Sequence, residues 1–80
     1  PQGKRMSITK HFGEAVRDAR KKLNITQEEL AHIADINRSH MGQIERGYKS
    51  ANLTTIDRIA KALNCSPASL LSHPTHEKSK

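Results

Sequence analysis

The apolar residues between positions 8 and 71 recur at spacings of three and four, and no stretch of strand length alternates strictly between apolar and polar residues. Spacings of three and four place side chains on one face of an α-helix, whereas a half-buried strand needs a period of two. The first stretch shows the pattern most fully, with Ile8, Phe12, Val16, Ala19 and Leu23. The stretch at 53–63 repeats it, with one face formed by Leu53, Ile56, Ile59, Ala60 and Leu63. The sequence therefore predicts an all-α fold.

Residues that favour helix ends divide this pattern into five short helices. We predict helices over 8–23, 26–34, 38–46, 53–63 and 67–71. Side chains that cap helix N-termini precede or open each segment: Ser7, Thr26, Asn37, Asn52 and Ser66. Residues that tolerate the left-handed conformation follow three of the segments: Asn24, Gly47 and Asn64. The four residues from Thr26 to Glu29 form a capping box, which fixes the start of the second helix.

Length and charge limit the possible functions. Eighty residues allow one domain, which we place at 7–71 between a flexible leader at 1–6 and a flexible tail at 72–80. The 14 Lys and Arg residues outnumber the 8 Asp and Glu residues, giving a formal net charge of +6 that favours nucleic acid or another anionic partner. No apolar run approaches the roughly 20 residues that cross a membrane, and no secretion signal precedes the domain. We expect a cytoplasmic protein that does not associate with a membrane.

The residues that usually carry catalysis or bind metals form no such site in this sequence. The single cysteine, Cys65, cannot form a disulfide within the chain or a Cys-rich zinc site. His73 and His76 have a spacing that suits a metal, but they lie in the polar tail without a third ligand nearby. Ser39 and His40 are neighbours on a helix, so their side chains point about 100° apart. We predict no metal, no cofactor, no small-molecule ligand and no enzymatic activity.

The second and third helices are joined by a tight break at 35–37, and together they form a helix-turn-helix unit. In this unit the second helix of the pair enters the major groove of DNA while the first lies across it. The two helices must pack closely, and Ala31 provides a small side chain for that contact. Ile36 provides the apolar side chain that fills the turn.

One face of the third predicted helix is suited to reading bases. Arg38, Ser39, Gln43 and His40 are able to form hydrogen bonds with base edges, whereas Met41 and Ile44 occupy the opposite, core-facing side. An ordinary solvated helix face is the alternative interpretation of the same residues.

The segment TQEELAHIADINRSHMGQIERG at 26–47 resembles the Xre-type helix-turn-helix family, which includes phage repressors and Cro proteins. The resemblance continues through LTTIDRIAKAL at 53–63 and SPASLL at 66–71. The order TQEELA, IERG, IAKAL is much more specific than any one of these segments. The resemblance implies a five-helix domain of the lambda-repressor type that binds double-stranded DNA, usually as a homodimer on a palindromic operator.

The resemblance also implies roles for individual residues. The base-reading positions of the family correspond to Arg38, Ser39 and Gln43. Residues expected to contact phosphate are Gln27 at the start of the second helix, Arg46, Lys49 and Ser50 in the loop after the third, and also Asn37. Glu45 corresponds to a family acid that pairs with an arginine of the first helix, here Arg20.

Two residues depart from the family pattern. Asp35 stands in the turn where the family prefers glycine, and aspartate adopts the left-handed conformation at some cost. His40 stands where tyrosine is frequent, which puts a phosphate contact at that position in doubt.

These features predict a transcription regulator of bacterial or phage type. We expect dimerisation through the fourth and fifth helices, with Leu70 and Leu71 at the interface. Among small members of the family, size and composition are most like controller proteins of restriction–modification systems. The alternative is an antitoxin or bridging protein whose main role is binding another protein, but such a role favours a longer partner-binding segment than 72–80.

Overall fold

A computed structural model describes residues 7–72, which form five α-helices and contain no β-strand. The bounds are α1 Ile8–Lys22, α2 Gln27–Ala34, α3 Arg38–Glu45, α4 Leu53–Ala62 and α5 Pro67–Leu71. The predicted all-α fold with five helices is confirmed, and each predicted boundary is correct to within one residue. The predicted leader at 1–6, and the tail beyond Ser72, lie outside the described residues.

The helix starts follow from their capping side chains. All five predicted caps accept a hydrogen bond from a backbone N–H in the first turn: Ser7, Thr26, Asn37, Asn52 and Ser66. The capping box of α2 is complete, since Thr26 Oγ1 accepts from the Glu29 backbone N–H at 3.0 Å and Glu29 Oε1 accepts from the Thr26 backbone N–H at 2.8 Å. Such caps satisfy donors that have no partner inside the helix.

Residues with a left-handed backbone conformation lie at or just after the ends of the helices. Asn24, Asp35 and Asn64 have φ near +60°, and Gly47 has φ +79°. Asp35 therefore adopts the conformation that the family pattern assigns to glycine. The turn is held by Ile36, whose backbone N–H donates to the Ala31 carbonyl at 2.8 Å, and by Arg58, whose Nη1 donates to the Asp35 carbonyl at 3.4 Å.

The core lies where α1 packs against α3 and α5 while α2 packs against α3 and α4. Met41 and Ile44 are fully buried there, as their positions on α3 predict. The other large side chains with less than 2% of their surface exposed are Val16, Leu30 and Ile59. Because these residues come from α1, α2 and α4, the inner side of the third helix belongs to a core to which these helices also contribute.

Some residues on the predicted apolar faces of the first and fourth helices are exposed. Ile8 is 60% exposed, Leu23 is 48% exposed and Leu53 is 82% exposed. Ile8 and Leu53 are the first residues of α1 and α4, and Leu23 is the residue that follows α1. Periodicity identifies the face on which they lie, but at a helix end the neighbouring helices no longer cover that face.

The structure separates the two residues that we expect at a dimer interface, Leu70 and Leu71. Its side chain is 3% exposed and packs in the core of its own chain, so almost none of it is left for a partner. Leu71 is 38% exposed and lies on the surface.

No helix within residues 7–72 is long and apolar enough to span a membrane.

Candidate nucleic-acid interface

The α2–turn–α3 unit has the packing that a helix-turn-helix requires. Ala31 is 2% exposed, and Ile36 is partly buried against the core. The small side chain on α2 and the apolar residue in the turn therefore bring the two helices together as predicted. This arrangement leaves the outer side of α3 uncovered.

The residues predicted to read bases lie on that outer side. Arg38 and Ser39 are exposed, while His40 and Gln43 are partly buried. Met41 and Ile44, on the side of the helix that points away from Ser39 and Gln43, are 0% exposed. Arg38 and His40 each lie one helical turn before one of these two residues, at the edge of the outer side. Burial of the apolar side of α3 therefore turns its polar side towards the solvent.

Asn37 has a structural task at the start of α3. Its Oδ1 accepts from the backbone N–H groups of Ser39 at 2.8 Å and His40 at 3.2 Å. The oxygen of this side chain is thus occupied by capping, and its amide nitrogen is the group that can donate to a phosphate.

The loop after α3 brings three of the predicted phosphate-contacting residues to the surface. Arg46, Lys49 and Ser50 are all exposed. The backbone N–H of Tyr48 donates to the Gln43 carbonyl at 2.9 Å, which holds the loop against the end of α3. The Arg46 guanidinium lies 5.7 Å from the centre of the Tyr48 ring, a distance at which a cation and an aromatic face attract each other.

The structure adds Lys10, which the sequence did not indicate as a functional residue. A β-carbon placed on Gly47 would lie 3.0 Å from the Lys10 Cα and 3.0 Å from its Cγ, so the first turn of α1 packs directly against the loop. Lys10 is exposed and adds a positive charge beside Arg46 and Lys49. The sequence shows a lysine in the first helix, but it does not show which loop packs against that lysine.

A buried carboxylate connects α3 to both preceding helices. Glu45 is 4% exposed and is the only buried charged residue in the range 7–72. Arg20 of α1 donates to it twice, from Nε to Oε2 at 2.7 Å and from Nη2 to Oε1 at 3.0 Å. The third guanidinium nitrogen, Nη1, donates to the Ile25 carbonyl at 3.0 Å. The ion pair that the family resemblance implied is thus present, with two parallel hydrogen bonds.

Gln27, the first residue of α2, is the third donor to this carboxylate. Its Nε2 lies 3.1 Å from Glu45 Oε1. Its Oε1 lies on the side of Gly42, where an added β-carbon would be 3.3 Å from that oxygen and 3.6 Å from Arg46 Nη2. The family resemblance implied a phosphate contact for Gln27 and an ion pair between Glu45 and Arg20, but it did not predict the contact between Gln27 and Glu45.

An apolar groove lies on another part of the surface, between the start of α1 and the end of α5. Its apolar lining consists of Ile8, Phe12, Ala51, Ile56 and Leu71. Leu53, the most exposed large apolar residue between positions 7 and 72, lies one helical turn before Ile56. This surface is therefore incompletely covered by the chain itself.

No group of three His, Cys, Asp or Glu residues suited to a metal is found within 7–72.

Comparison with known proteins agrees with this geometry. Residues 16–70 match the helix-turn-helix family. The chain is 42% identical over 65 residues to the control protein C.BamHI of Bacillus amyloliquefaciens, covering 80% of each chain.

Two solved structures are similar over most of their length. The restriction–modification controller protein C.AhdI of Aeromonas hydrophila shares 34% identity with a TM-score of 0.76, covering 78% of this chain and 94% of that one. The P22 c2 repressor, solved in complex with a synthetic operator, shares 35% identity with a TM-score of 0.73 and the same coverage.

Proposed function

The chain belongs to the helix-turn-helix family, and from this premise we propose that it is a transcription regulator that binds a specific duplex DNA sequence as a homodimer. The similarity to C.BamHI and C.AhdI favours a controller protein of a restriction–modification system. Such a protein acts by binding, not by catalysis, and it works where the genome lies, in the cytoplasm. The antitoxin or bridging role is less favoured, because the similar proteins are named control proteins and a repressor.

One observation carries this proposal: α3 exposes Arg38 and Ser39 while its apolar residues Met41 and Ile44 are fully buried. A helix of this kind fits the major groove, where each base pair presents a distinct set of donors and acceptors. In the proposed complex, Arg38 donates two hydrogen bonds to guanine O6 and N7. Ser39, Gln43 and His40 contact neighbouring base edges.

The residues around α3 are proposed to hold the phosphate backbone. They comprise Gln27, Asn37, Arg46, Lys49 and Ser50, to which the packing of α1 against the loop adds Lys10. Contacts to phosphate position the protein without selecting a sequence, whereas contacts to base edges select it. These residues and those of α3 therefore have separable roles.

The second copy is proposed to bind at the apolar groove beside α5. Ile8, Leu53 and Leu71 expose 60%, 82% and 38% of their surface in the single chain, and burying such area is favourable. This proposal retains Leu71 and replaces the buried Leu70 with Leu53 and Ile8. A two-fold dimer would present two α3 helices to the two halves of a palindromic site.

The test is selection of bound duplexes from random DNA, followed by affinity measurements on the enriched sequence. We expect a palindromic site. The affinity should fall roughly a thousandfold or more between 50 and 200 mM salt for a dimer with about six to ten phosphate contacts. Failure to enrich any duplex, or a flat response to salt, would contradict the proposal.

The assignment of roles is tested by Arg38→Ala and Lys49→Ala. We expect Arg38→Ala to cost about 1–3 kcal/mol for each half-site contact and to relax the preference at one base position. Lys49→Ala should weaken binding to all sequences about equally and lower the salt dependence. If both variants relax sequence preference to the same degree, the division between base and phosphate contacts is wrong.

A further inference from the structure

Two neighbouring features of α3 determine how the Gln27 side chain of α2 is placed. Gln27 Nε2 donates to Glu45 Oε1 at 3.1 Å, and the amide oxygen lies over the position where Gly42 has no side chain. A carboxylate only accepts hydrogen bonds, so the nitrogen of the amide, not its oxygen, must face Glu45. The nitrogen of the amide is therefore held by a helix to which the glutamine does not belong, and the oxygen lies against the same helix where no side chain obstructs it.

Glu45 itself is held firmly. It is 4% exposed, and Arg20 donates to both of its oxygens at 2.7 Å and 3.0 Å. Because the arginine fork matches the planar carboxylate, rotation of that carboxylate breaks at least one charge-assisted hydrogen bond. The acceptor that faces Gln27 is thus fixed in direction as well as in position.

An amide nitrogen carries two N–H groups, and only one of them is used by Glu45. The second points away from the buried carboxylate, and Gln27 is partly exposed at the start of α2. A DNA phosphate offers only acceptor oxygens and approaches from outside the protein. The amide orientation that suits Glu45 therefore also suits a phosphate, whereas the reversed amide would direct its oxygen towards Glu45.

We infer that Glu45 is a positioning residue for DNA binding: it orients the Gln27 amide so that the free N–H donates to one backbone phosphate in each half-site. Gly42 contributes by leaving room for the amide oxygen. This inference rests on the proposed function, since it assumes that the protein binds duplex DNA. It gives the Arg20–Glu45 pair a second task besides joining α1 to α3.

The experiment uses the full chain and the duplex enriched from random DNA by that chain. Phosphates of one half-site are replaced one at a time by methylphosphonate, which removes the charge and one oxygen. For the original chain, replacement of the contacted phosphate should weaken binding about tenfold, the size expected for a hydrogen bond to a charged group. Gln27→Ala should lose this penalty at the same phosphate and keep the penalties at the others.

The decisive variant is Glu45→Gln, combined with Gln27→Ala in a double-mutant cycle. An amide has one acceptor oxygen where the carboxylate has two, so it cannot accept both Arg20 hydrogen bonds. The group that faces Gln27 is then neither charged nor held by the full arginine fork, and it no longer fixes the Gln27 nitrogen. We expect Gln27→Ala to weaken DNA binding about tenfold in the original chain and about twofold or less in the Glu45→Gln background. Equal losses in both backgrounds would overturn the inference.

A matched control separates the orientation of the Gln27 amide from the change in net charge. Asp57→Asn on α4 removes one negative charge, as Glu45→Gln does, but Asp57 pairs only with the exposed Lys61 in the described part of the chain. It should retain the full methylphosphonate penalty at the Gln27 phosphate. If Glu45→Gln also retained the full methylphosphonate penalty at this phosphate, the inference would be overturned.

Gly42→Ala keeps the test valid even if Glu45→Gln does not fold. The added methyl would lie 3.3 Å from the Gln27 amide oxygen and should displace it. We expect a reduced methylphosphonate penalty at the Gln27 phosphate together with an unchanged or higher melting temperature, because alanine favours a helix more than glycine. An undiminished penalty would contradict the role given to Gly42 and the fixed amide. A chain that enriches no duplex would instead overturn the proposed function itself.

Discussion

The α1–α3 junction and the outer surface of α4 each contain an ion pair, but the surroundings of the two pairs differ. At the junction, the Arg20 and Glu45 side chains are 13% and 2% exposed and their closest atoms are 2.7 Å apart. On α4, the Lys61 and Asp57 side chains are 77% and 53% exposed, with 3.2 Å between Nζ and Oδ2. The same type of charge pair therefore has different consequences in the two regions.

At the junction, every contact restricts the position of α3. The carboxylate of Glu45 accepts three hydrogen bonds from α1 and α2, and the backbone of α3 touches α1 at Gly13. The outer surface of α4 leaves Leu53 82% exposed and carries its ion pair in solvent. The comparison indicates that the direction of the proposed recognition helix is fixed by buried polar and backbone contacts, whereas α4 contributes mainly through its inner face.

The largest effect is expected for Gly13→Ala at the α1–α3 junction. A β-carbon at this position would overlap the Ile44 carbonyl oxygen and lie 2.8 Å from that of Glu45, and both are backbone atoms. Relief requires the two helices to separate, so we expect a loss of about 3 kcal/mol or more in the free energy of unfolding.

Urea denaturation midpoints measure this loss, and Gly42→Ala is the matched control. The methyl added at Gly42 meets only the ends of side chains, at 3.3 Å and 3.6 Å. Its unfolding free energy should change by less than about 1 kcal/mol. Similar results for the two glycine variants would mean that the close approach of α1 and α3 is not a constraint.

The second effect concerns the buried pair. Glu45→Ala leaves the partly buried Arg20 guanidinium without its carboxylate, and we expect a loss of about 2–3 kcal/mol in the unfolding free energy, somewhat less than for a fully buried pair. Arg20→Ala and the double variant complete a double-mutant cycle. A coupling energy near zero would show that the pair does not contribute to the junction.

The junction also shows how far the sequence predicts the structure. The capping residues gave the helix starts because each acts on N–H groups within three residues of itself. The pairing of Arg20 with Glu45 was implied by the family resemblance. The contact of Gln27 with Glu45 was not predicted, since it depends on the crossing of two helices. The close approach at Gly13 was not predicted for the same reason.

The apolar surface near α4 shows a second limit of sequence reasoning. Periodicity placed Leu53 and Ile59 on one face of the fourth helix, yet Leu53 is 82% exposed and Ile59 is 0% exposed. The face is a local property of the helix, but burial depends on what the rest of the chain places opposite it. Leu70 and Leu71 differ for the same reason, because only Leu70 points into the core.

A smaller effect is expected for Leu53→Ser. Since the side chain is already exposed, the unfolding free energy of the single chain should change by no more than about 0.5 kcal/mol. If this surface is where the second copy binds, dimer formation should weaken by about 1 kcal/mol for each copy, measured by sedimentation equilibrium. Ser69→Ala, at an exposed position of α5, is a control that leaves the apolar surface intact. Unchanged dimer formation in Leu53→Ser would place the interface elsewhere.

The smallest effect is expected for Lys61→Ala, and it tests the comparison most directly. Exposed pairs gain little, because water weakens the attraction and two flexible side chains must be held in one geometry. Asp57 precedes Lys61 by four residues, and such helical pairs contribute about 0.3–0.5 kcal/mol. The higher helix propensity of alanine offsets part of the stabilisation that is lost with the pair. We therefore expect the unfolding free energy to change by less than about 0.5 kcal/mol.

Salt distinguishes the two pairs further. At 1 M salt the screening length falls to about 3 Å, so the part of the Lys61→Ala effect that comes from the lost ion pair should vanish and only the small gain in helix propensity should remain. Buried pairs are screened much less, and the loss caused by Glu45→Ala should persist. Denaturation of both variants at about 0.05 M and 1 M salt measures the difference. A salt-resistant loss above about 1 kcal/mol for Lys61→Ala would mean that exposure does not separate the two pairs. The conclusion that α3 is fixed by burial of its polar contacts would then lose its basis.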